Sequence, residues 1–140
     1  ILVSLAAPHF INGCIKKTNK LTVNLVDEAM LPATDEAGAV SGAKADKSAL
    51  FAYSMGENGA PVIEEAPLVM ECSVVDVYNT KGFESFICTI DATYVEEKCL
   101  NGQGKIDYDV LKPVLFEFPT YSYLKTGEVL GKCLSFKKGN

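Results

Sequence analysis

The fold is decided by residues 66–96, which read APLVMECSVVDVYNTKGFESFICTIDATYVE. Both halves are rich in β-branched and aromatic residues, and the break between them at residues 79–82 has the chemistry of a turn. Side chains alternate across a strand, so each arm of the predicted hairpin has one apolar face. These faces comprise Leu68, Met70, Cys72 and Val74 in the first arm and Phe86, Cys88, Ile90, Ala92 and Tyr94 in the second. A hairpin alone is only marginally stable, which predicts a barrel or sandwich closing over it.

The opposite faces of the two arms are polar. They carry Glu71 and Ser73 in the first arm, and Ser85, Thr89, Asp91 and Thr93 in the second. This contrast between the faces is typical of an antiparallel sheet with one side packed on a core.

The remaining segments are mostly short strands separated by turns. The patterns predict strands at residues 1–6, 20–26, 121–124 and 128–136, and a short apolar segment at 111–118. Short helices are predicted at 9–17, directly after Asp27 with Pro32 limiting the length, and behind Asp46 through Phe51. Residues 53–65 and 96–109 are predicted as polar loops. The sequence therefore predicts one mainly β domain over residues 1–140, a barrel with short peripheral helices.

Composition narrows the class of function. The net charge of −5 argues against nucleic-acid binding, which requires clustered basic residues. No apolar run approaches the roughly 20 residues of a membrane-spanning helix, so no membrane association is predicted. The five cysteines form no Cys-x-x-Cys pair, which argues against a zinc site, and no metal is expected. Unpaired thiols predict a reducing, cytoplasmic location.

The loop at residues 41–48 is the first candidate binding segment. It supplies the hydroxyls of Ser41 and Ser48, the small Gly42 and the ammonium groups of Lys44 and Lys47. Such a loop can hold a phosphate through its backbone N–H groups. The alternative is that Asp46 only caps a helical turn and that the lysines face solvent.

Other candidate residues give weaker signals. His9 is the only histidine, and no Ser/Cys-His-Asp order accompanies it, so no catalytic side chain is predicted. It remains a candidate ligand contact or a surface residue. Tyr121 and Tyr123 share a strand face and are suited either to stacking on a planar ligand or to packing.

The order of several motifs resembles the flavoredoxin/flavin reductase-like family of FMN-binding split β-barrels. Residues 8–16 followed by 21–25 are similar to an aromatic-Thr-x-x-x-Ile segment that leads into a strand. Ser41-Gly42 with Asp46-Lys47 is similar to the family's Ser-Gly-x-x-x-Asp-Lys-Phe loop. Residues 66–72 are similar to its Ala-Pro-x-x-x-Glu-Cys strand, and residues 104–107 and 123–131 fit its C-terminal part.

The resemblance implies a homodimer that binds FMN, with NADH or NADPH as candidate electron donor and a redox protein as candidate partner. It implies that two segments surround the flavin phosphate and ribityl chain. Their candidate contacts are Ser4, His9, Phe10, Ile11, Asn12, Ser41, Gly42, Lys47 and Ser48. Lys47 is expected to offset the phosphate charge, so that Lys47→Ala weakens FMN binding more than Lys138→Ala. The family's first strands are expected upstream of Ile1.

Two hypotheses follow from the resemblance. The first is an FMN-dependent oxidoreductase or electron-transfer flavoprotein in which no side chain acts as a general base. The second is a non-catalytic split-barrel binding module that has lost tight flavin binding. Ile11, where a Thr is usual, and Ser48, where a Phe is usual, favour the second.

Overall fold

The computed structural model describes residues 1–136 and is mainly β. The strands are β1 (Leu2–Ala6), β2 (Lys20–Asn24), β3 (Tyr53–Met55), β4 (Pro61–Ile63), β5 (Leu68–Thr80), β6 (Phe83–Val95), β7 (Val114–Glu117) and β8 (Ser122–Lys125). The helices are α1 (Phe10–Thr18), α2 (Leu31–Ala39) and α3 (Tyr108–Leu111), with 3₁₀ turns at Glu28–Met30 and Glu97–Cys99.

The predicted hairpin is confirmed as the centre of the fold. β5 and β6 are 13 residues each, and they turn through Lys81 and Gly82, whose φ of 91° suits a glycine. β1 pairs with β6 and β2 pairs with β5, so the antiparallel sheet has the order β1-β6-β5-β2. Two small hairpins, β3–β4 and β7–β8, stand beside it.

Two irregularities in the β5–β6 register break the simple alternation of faces. They lie between Glu71 and Cys72 and between Val74 and Asp76. A bulge adds a residue to one strand and bends it, so side chains beyond it change face. Beyond the first irregularity, Ala92 and Tyr94 are opposite Glu71 and Val69, so they lie on the other face from Ile90, which is opposite Cys72. Ile90 is 47% exposed although alternation placed it on the apolar face, while Glu71 is only 2% exposed.

The core is divided among three groups of side chains around the sheet. The largest places Ile15 of α1 over Phe86, Cys72 and Cys88. A second contains Met30, Ala66 and Val69, and a third contains Leu68, Cys99 and Leu111. Leu68 and Val69 are neighbours and both are buried, so the start of β5 is covered on both faces.

Five segments differ from the sequence-based expectation or add detail to it. Pro32 occupies the first turn of α2, where its missing N–H costs nothing, so the helix extends to Ala39 instead of stopping. The segment expected as the loop 53–65 contains β3 and β4. Residues behind Asp46 form turns and not a helix, and residues 128–136 contain no strand. The apolar segment 111–118 contains the end of α3 and all of β7.

The β3–β4 hairpin went unrecognised because its stability comes from a distant carboxylate. Glu71 accepts hydrogen bonds from the backbone N–H groups of Glu57 and Asn58, at 3.1 and 2.8 Å. A Cβ at Gly56 would lie 2.4 Å from Glu71 Oε1, so only glycine fits there. The Asn58 side chain in turn donates to the Leu21 carbonyl at 3.3 Å. These bonds fasten the hairpin to β2 and β5.

The β7–β8 hairpin holds α2 in place from the other side. The Tyr123 hydroxyl donates to Asp35 Oδ1 at 2.8 Å, and Lys125 Nζ pairs with Glu28 Oε2 at 2.5 Å. Asp35 belongs to α2 and Glu28 to the 3₁₀ turn before it, so the hairpin contacts both. The last turn of α2 leads into the candidate loop at residue 41. Within the described part of the chain, no helix has the length and hydropathy needed to cross a membrane.

Candidate functional site

A cleft of about 490 Å³ lies between the start of α1 and the end of α2. One wall comes from the first turns of α1, and the other from the last residues of α2 with the loop that follows. Its lining residues are His9, Phe10, Ile11, Cys14, Ala37, Gly38, Ala39, Val40, Ser41, Gly42 and Lys47. Two segments about thirty residues apart in sequence therefore meet in one site.

The start of α1 is suited to an anion. His9 is the N-cap residue with extended backbone, at φ −68° and ψ 134°, and its side chain makes no capping hydrogen bond. The first turn contains no acidic residue. The first N–H groups of a helix have no intrahelical partner, and they carry the positive end of the helix dipole. Because Phe10 and Ile11 line the cleft, this positive end belongs to its wall.

The opposite loop is ordered by its own hydrogen bonds. The Ser41 carbonyl accepts the N–H groups of Lys44 and Ala45 at 2.9 and 3.2 Å, and Ser41 Oγ accepts the Ala43 N–H at 3.3 Å. The Asp46 carboxylate accepts the Ser48 N–H at 2.9 Å, and this bond lowers the pKa of Asp46. Asp46 thus stabilises a turn, although no helix follows it.

Lys47 places a positive charge in the cleft wall. Its Nζ donates to the carbonyl of Ala37 at 2.5 Å, where the last turn of α2 presents unpaired carbonyl groups. An ammonium group has three N–H donors, so two remain for another acceptor. The contact with Ala37 fixes the ammonium group while leaving it able to bind an anion.

The two walls approach each other closely at Gly42. A Cβ at this position would lie 3.0 Å from Cδ1 of Phe10, so the Phe10 ring lies over the backbone of the loop. A side chain there would push the ring away and widen the cleft. Gly42 therefore permits the contact between the walls.

The structure brings some of the predicted site residues together and places others elsewhere. His9, Phe10, Ile11, Ser41, Gly42 and Lys47 share the cleft. Outside its lining, Ser4 lies on β1, where its Oγ is 2.9 Å from Ser85 Oγ. Asn12 is 1% exposed and donates to Ala6 O and Glu84 Oε2. Ser48 lines an adjacent apolar recess.

Two further depressions adjoin the cleft. An apolar recess of about 400 Å³ shares Lys47 with it and is lined by Ser48, Phe51, Tyr53, Met55, Pro61 and Ile63. A groove of about 320 Å³ shares Ile11 and Cys14 with the cleft and reaches Thr22 and Asn24 on β2. An extended ligand with an anionic end in the cleft therefore has two neighbouring places for a less polar part.

Sequence reasoning missed Cys14 and the residues 37–40 of the cleft wall. The wall at 37–40 was missed because Pro32 was interpreted as a helix stop. Cys14 was assigned to an apolar helical stripe with Phe10 and Ile15, of which only Ile15 is buried. The signal was Pro32 itself, because proline is favoured in the first turn of a helix, where it lies in α2.

The described residues contain no candidate metal site. Across residues 1–136, no three His, Cys, Asp or Glu side chains are grouped so that they could hold a metal ion. The cleft instead combines a helix N-terminus, a lysine and a serine, which is a set of donors for an anion such as a phosphate.

Comparison with solved structures identifies proteins of the same architecture. A flavoredoxin from Methanosarcina acetivorans superposes with a TM-score of 0.91 at 35% identity, covering 96% of this chain and 73% of its own. The flavoredoxin of Desulfovibrio vulgaris (Miyazaki F) gives a TM-score of 0.90 at 28% identity, covering 98% and 75%. The FMN-binding protein of Thermus thermophilus shares the fold, with a TM-score of 0.79 at 19% identity and coverage of 94% and 72%.

These similarities confirm the predicted mainly β, split-barrel fold with peripheral helices. A comparison with curated proteins finds no match. The family model described as flavin reductase like domain matches residues 1–123, which is most of the sequence. The chain therefore belongs to the flavin reductase-like domain family.

Proposed function

We propose that this protein binds FMN and acts as an oxidoreductase or electron-transfer flavoprotein of the flavoredoxin type. The observation that carries the proposal is the meeting of residues 9–11 with residues 41–47 in one cleft of a flavin reductase-like domain. The proposal covers residues 1–140 as one such domain.

The residues of the cleft fit the phosphate end of FMN. The N–H groups at the start of α1 and the Lys47 ammonium group would hold the phosphate, because both are positive and neither faces an acidic residue of the cleft lining. Ser41 would donate a hydroxyl hydrogen bond, and His9 is exposed where an imidazole N–H can reach the same ligand. The adjoining recess and groove offer apolar walls for the ring.

When bound, FMN supplies hydride or single-electron transfer at its isoalloxazine ring. The protein side chains bind and orient the cofactor, and the net charge of −5 makes the local positive charge of Lys47 important for retaining an anion. NADH or NADPH is the proposed donor and a redox protein the alternative partner. We also propose a homodimer in the cytoplasm, a location that five free thiols favour.

The binding-module alternative has less support. Ile11 lines the cleft and offers no hydroxyl, but the backbone N–H at the same place remains available as a donor. Ser48 lies outside the cleft lining, so its difference from Phe does not remove a phosphate contact. Lys47, Ser41 and Gly42, which form the opposite wall, are all retained.

FMN titration tests the proposal directly. Binding is followed by quenching of flavin fluorescence in the wild-type protein and in Lys47→Ala. We expect roughly ten- to hundredfold weaker FMN binding in Lys47→Ala, since a hydrogen bond to a charged group contributes about 1.5–3 kcal/mol.

Lys44→Ala is the matched control for this titration. Lys44 lies in the same loop with an exposed side chain that does not line the cleft, whereas Lys138 lies outside the described residues. Equal affinities for the two variants would contradict the placement of the phosphate. A wild-type protein that neither quenches nor retains FMN would contradict the function.

A second experiment separates a reductase from an electron carrier. The FMN-loaded protein is mixed anaerobically with NADH or NADPH, and the flavin absorbance is recorded. Rapid bleaching would identify a nicotinamide-dependent reductase. A spectrum that changes only when a reduced electron-transfer protein is added would identify the carrier.

A further inference from the structure

The start of α1 is fastened to the sheet by a partly buried polar contact behind the cleft. Asn12 Nδ2 donates to Glu84 Oε2 at 2.7 Å and to the Ala6 carbonyl at 3.2 Å. The other oxygen of Glu84 accepts Lys16 Nζ at 2.8 Å. Asn12 and Lys16 are one helical turn apart, so a single carboxylate holds two successive turns of α1.

The position of this contact connects it to the cleft. Glu84 is opposite Leu5 in the β1–β6 ladder, and Ala6 ends β1. The backbone then passes Pro8 and enters α1 at Phe10, whose ring forms the cleft wall against Gly42. Asn12 therefore ties the first turn of α1, and with it the N–H groups at residues 10 and 11, to the rigid central sheet.

From these contacts we propose that Asn12 and Glu84 are positioning residues that orient the N-terminus of α1 for the phosphate of the cofactor. The inference rests on the proposed function, and it assigns Asn12 a role behind the site instead of a direct contact with FMN. Asn12 is 1% exposed and lies outside the cleft lining, so it acts through the helix.

The chemistry of the pair explains why this anchor is polar. If the Asn12 amide were rotated by half a turn, its oxygen would face the Glu84 carboxylate, which is unfavourable, so the pair fixes the orientation of the amide. As a result Asn12 Oδ1 is buried without a hydrogen-bond partner, at a cost in stability. An apolar residue would avoid this cost but would not fix the rotation of the helix about its axis.

The test compares FMN with riboflavin, which lacks the phosphate. In Asn12→Asp two carboxylates face each other, so the first turn of α1 should move away from the sheet. We expect FMN affinity to fall about tenfold while riboflavin affinity changes by less than about twofold. A general loss of structure would weaken both flavins equally.

A second variant restores the contact. In Asn12→Asp combined with Glu84→Gln, the glutamine amide can donate to the new carboxylate, and Lys16 can still pair with a carboxylate one turn away. We expect the double variant to regain most of the FMN affinity. Glu64→Gln, at an exposed position, is the control for removing one negative charge.

Milder variants provide the test if Asn12→Asp does not fold. Lys16→Met removes one arm of the contact at a half-exposed position, and Lys17→Met removes the neighbouring charge, which forms no ion pair within the described residues. We expect only Lys16→Met to lower FMN affinity and to accelerate amide hydrogen exchange in residues 10–13.

The outcomes separate the inference from the proposed function. If the wild-type protein fails to bind FMN, the proposed function is wrong. If the wild-type protein binds FMN but the Asn12 and Lys16 variants keep its affinity and their exchange rates in α1, the positioning role is wrong. Equal losses for FMN and riboflavin, without rescue by Glu84→Gln, would also overturn it.

Discussion

At the scale of single residues, Cys14 is the most useful reporter of the site. Its thiol is exposed and lies in the lining of both the cleft and the adjacent groove. Cys133 is also exposed but belongs to neither lining, while Cys72, Cys88 and Cys99 are buried. The same chain therefore carries an exposed thiol inside the site, one outside it, and three that a reagent cannot easily reach.

FMN should protect Cys14 from alkylation. We expect iodoacetamide to modify Cys14 and Cys133 in the folded apoprotein, and saturating FMN to slow the reaction of Cys14 at least about tenfold, because a bound ligand covers the groove. Peptide mass spectrometry measures both rates, and Cys133 is the internal control. Unchanged reaction of Cys14 in protein that has bound FMN would mean that the cofactor lies elsewhere.

The residues of α1 show where sequence periodicity reaches its limit. Phe10, Cys14 and Ile15 are spaced like an apolar stripe, yet the face that packs on the sheet contains Asn12 and Ile15. Ile15 lies over the core, and Asn12 lies three residues before it on the same side, so its amide meets Glu84. Phe10 remains 53% exposed because it forms a cleft wall. A binding site exposes apolar residues, and periodicity alone cannot distinguish them from core.

At the scale of secondary-structure elements, the β3–β4 hairpin depends on contacts that are remote in sequence. The carboxylate of Glu71 accepts hydrogen bonds from two backbone N–H groups in the turn that follows Gly56. The strands themselves are only three residues long, too short to be recognised or to be stable alone. The long β5–β6 hairpin could be predicted because the alternation of apolar and polar residues lies within its own sequence. The β3–β4 hairpin could not be predicted, because the carboxylate that holds its turn belongs to Glu71 on β5.

Substitutions at this anchor should loosen the hairpin. In Gly56→Ala the new methyl group would collide with the Glu71 carboxylate. In Glu71→Gln an NH₂ group replaces one of the two carboxylate oxygens that accept backbone N–H groups. One of these N–H groups then loses its acceptor, which costs roughly 1–3 kcal/mol of stability. We expect both variants to lower the urea midpoint and to accelerate hydrogen exchange at residues 53–63. Glu64→Gln, on the exposed end of the same hairpin, should change neither measurement.

At the scale of the whole molecule, the titrating groups predict limits of stability at both acid and alkaline pH. Carboxylates at four places have lowered pKa values because of hydrogen bonds or ion pairs: Glu28 with Lys125, Asp46 with Ser48, Glu84 with Lys16 and Asn12, and Asp91 with Ser73 and Thr89. Burial raises the pKa of the thiols of Cys72, Cys88 and Cys99.

The direction of each shift gives the sign of the pH dependence. A lowered carboxyl pKa stabilises the fold above the unfolded value of about 4 and is lost as the pH falls through the folded value. A raised thiol pKa favours the fold up to about pH 8.5, and this contribution is lost between the unfolded and folded values. We expect urea midpoints, measured with reductant, to be highest between these limits. Glu84→Gln should flatten the acid side, and an unchanged acid side would contradict the assignment of Glu84.

The exposed face of the β1–β6 ladder bears on the proposed homodimer. Leu2 is opposite Ile87, and Ala6 is opposite Phe83, so these side chains lie on one face of the sheet. Leu2, Phe83 and Ile87 are 60%, 50% and 38% exposed, so this face presents neighbouring apolar side chains at the surface, as an interaction site does. We expect Phe83→Glu to shift the protein from twice the chain mass to the monomer mass in light scattering. Val129→Glu, at a residue 60% exposed in the irregular C-terminal segment, should leave the mass unchanged.

A wild-type monomer would remove the dimer from the proposal, while a Phe83→Glu dimer would place the interface on another surface.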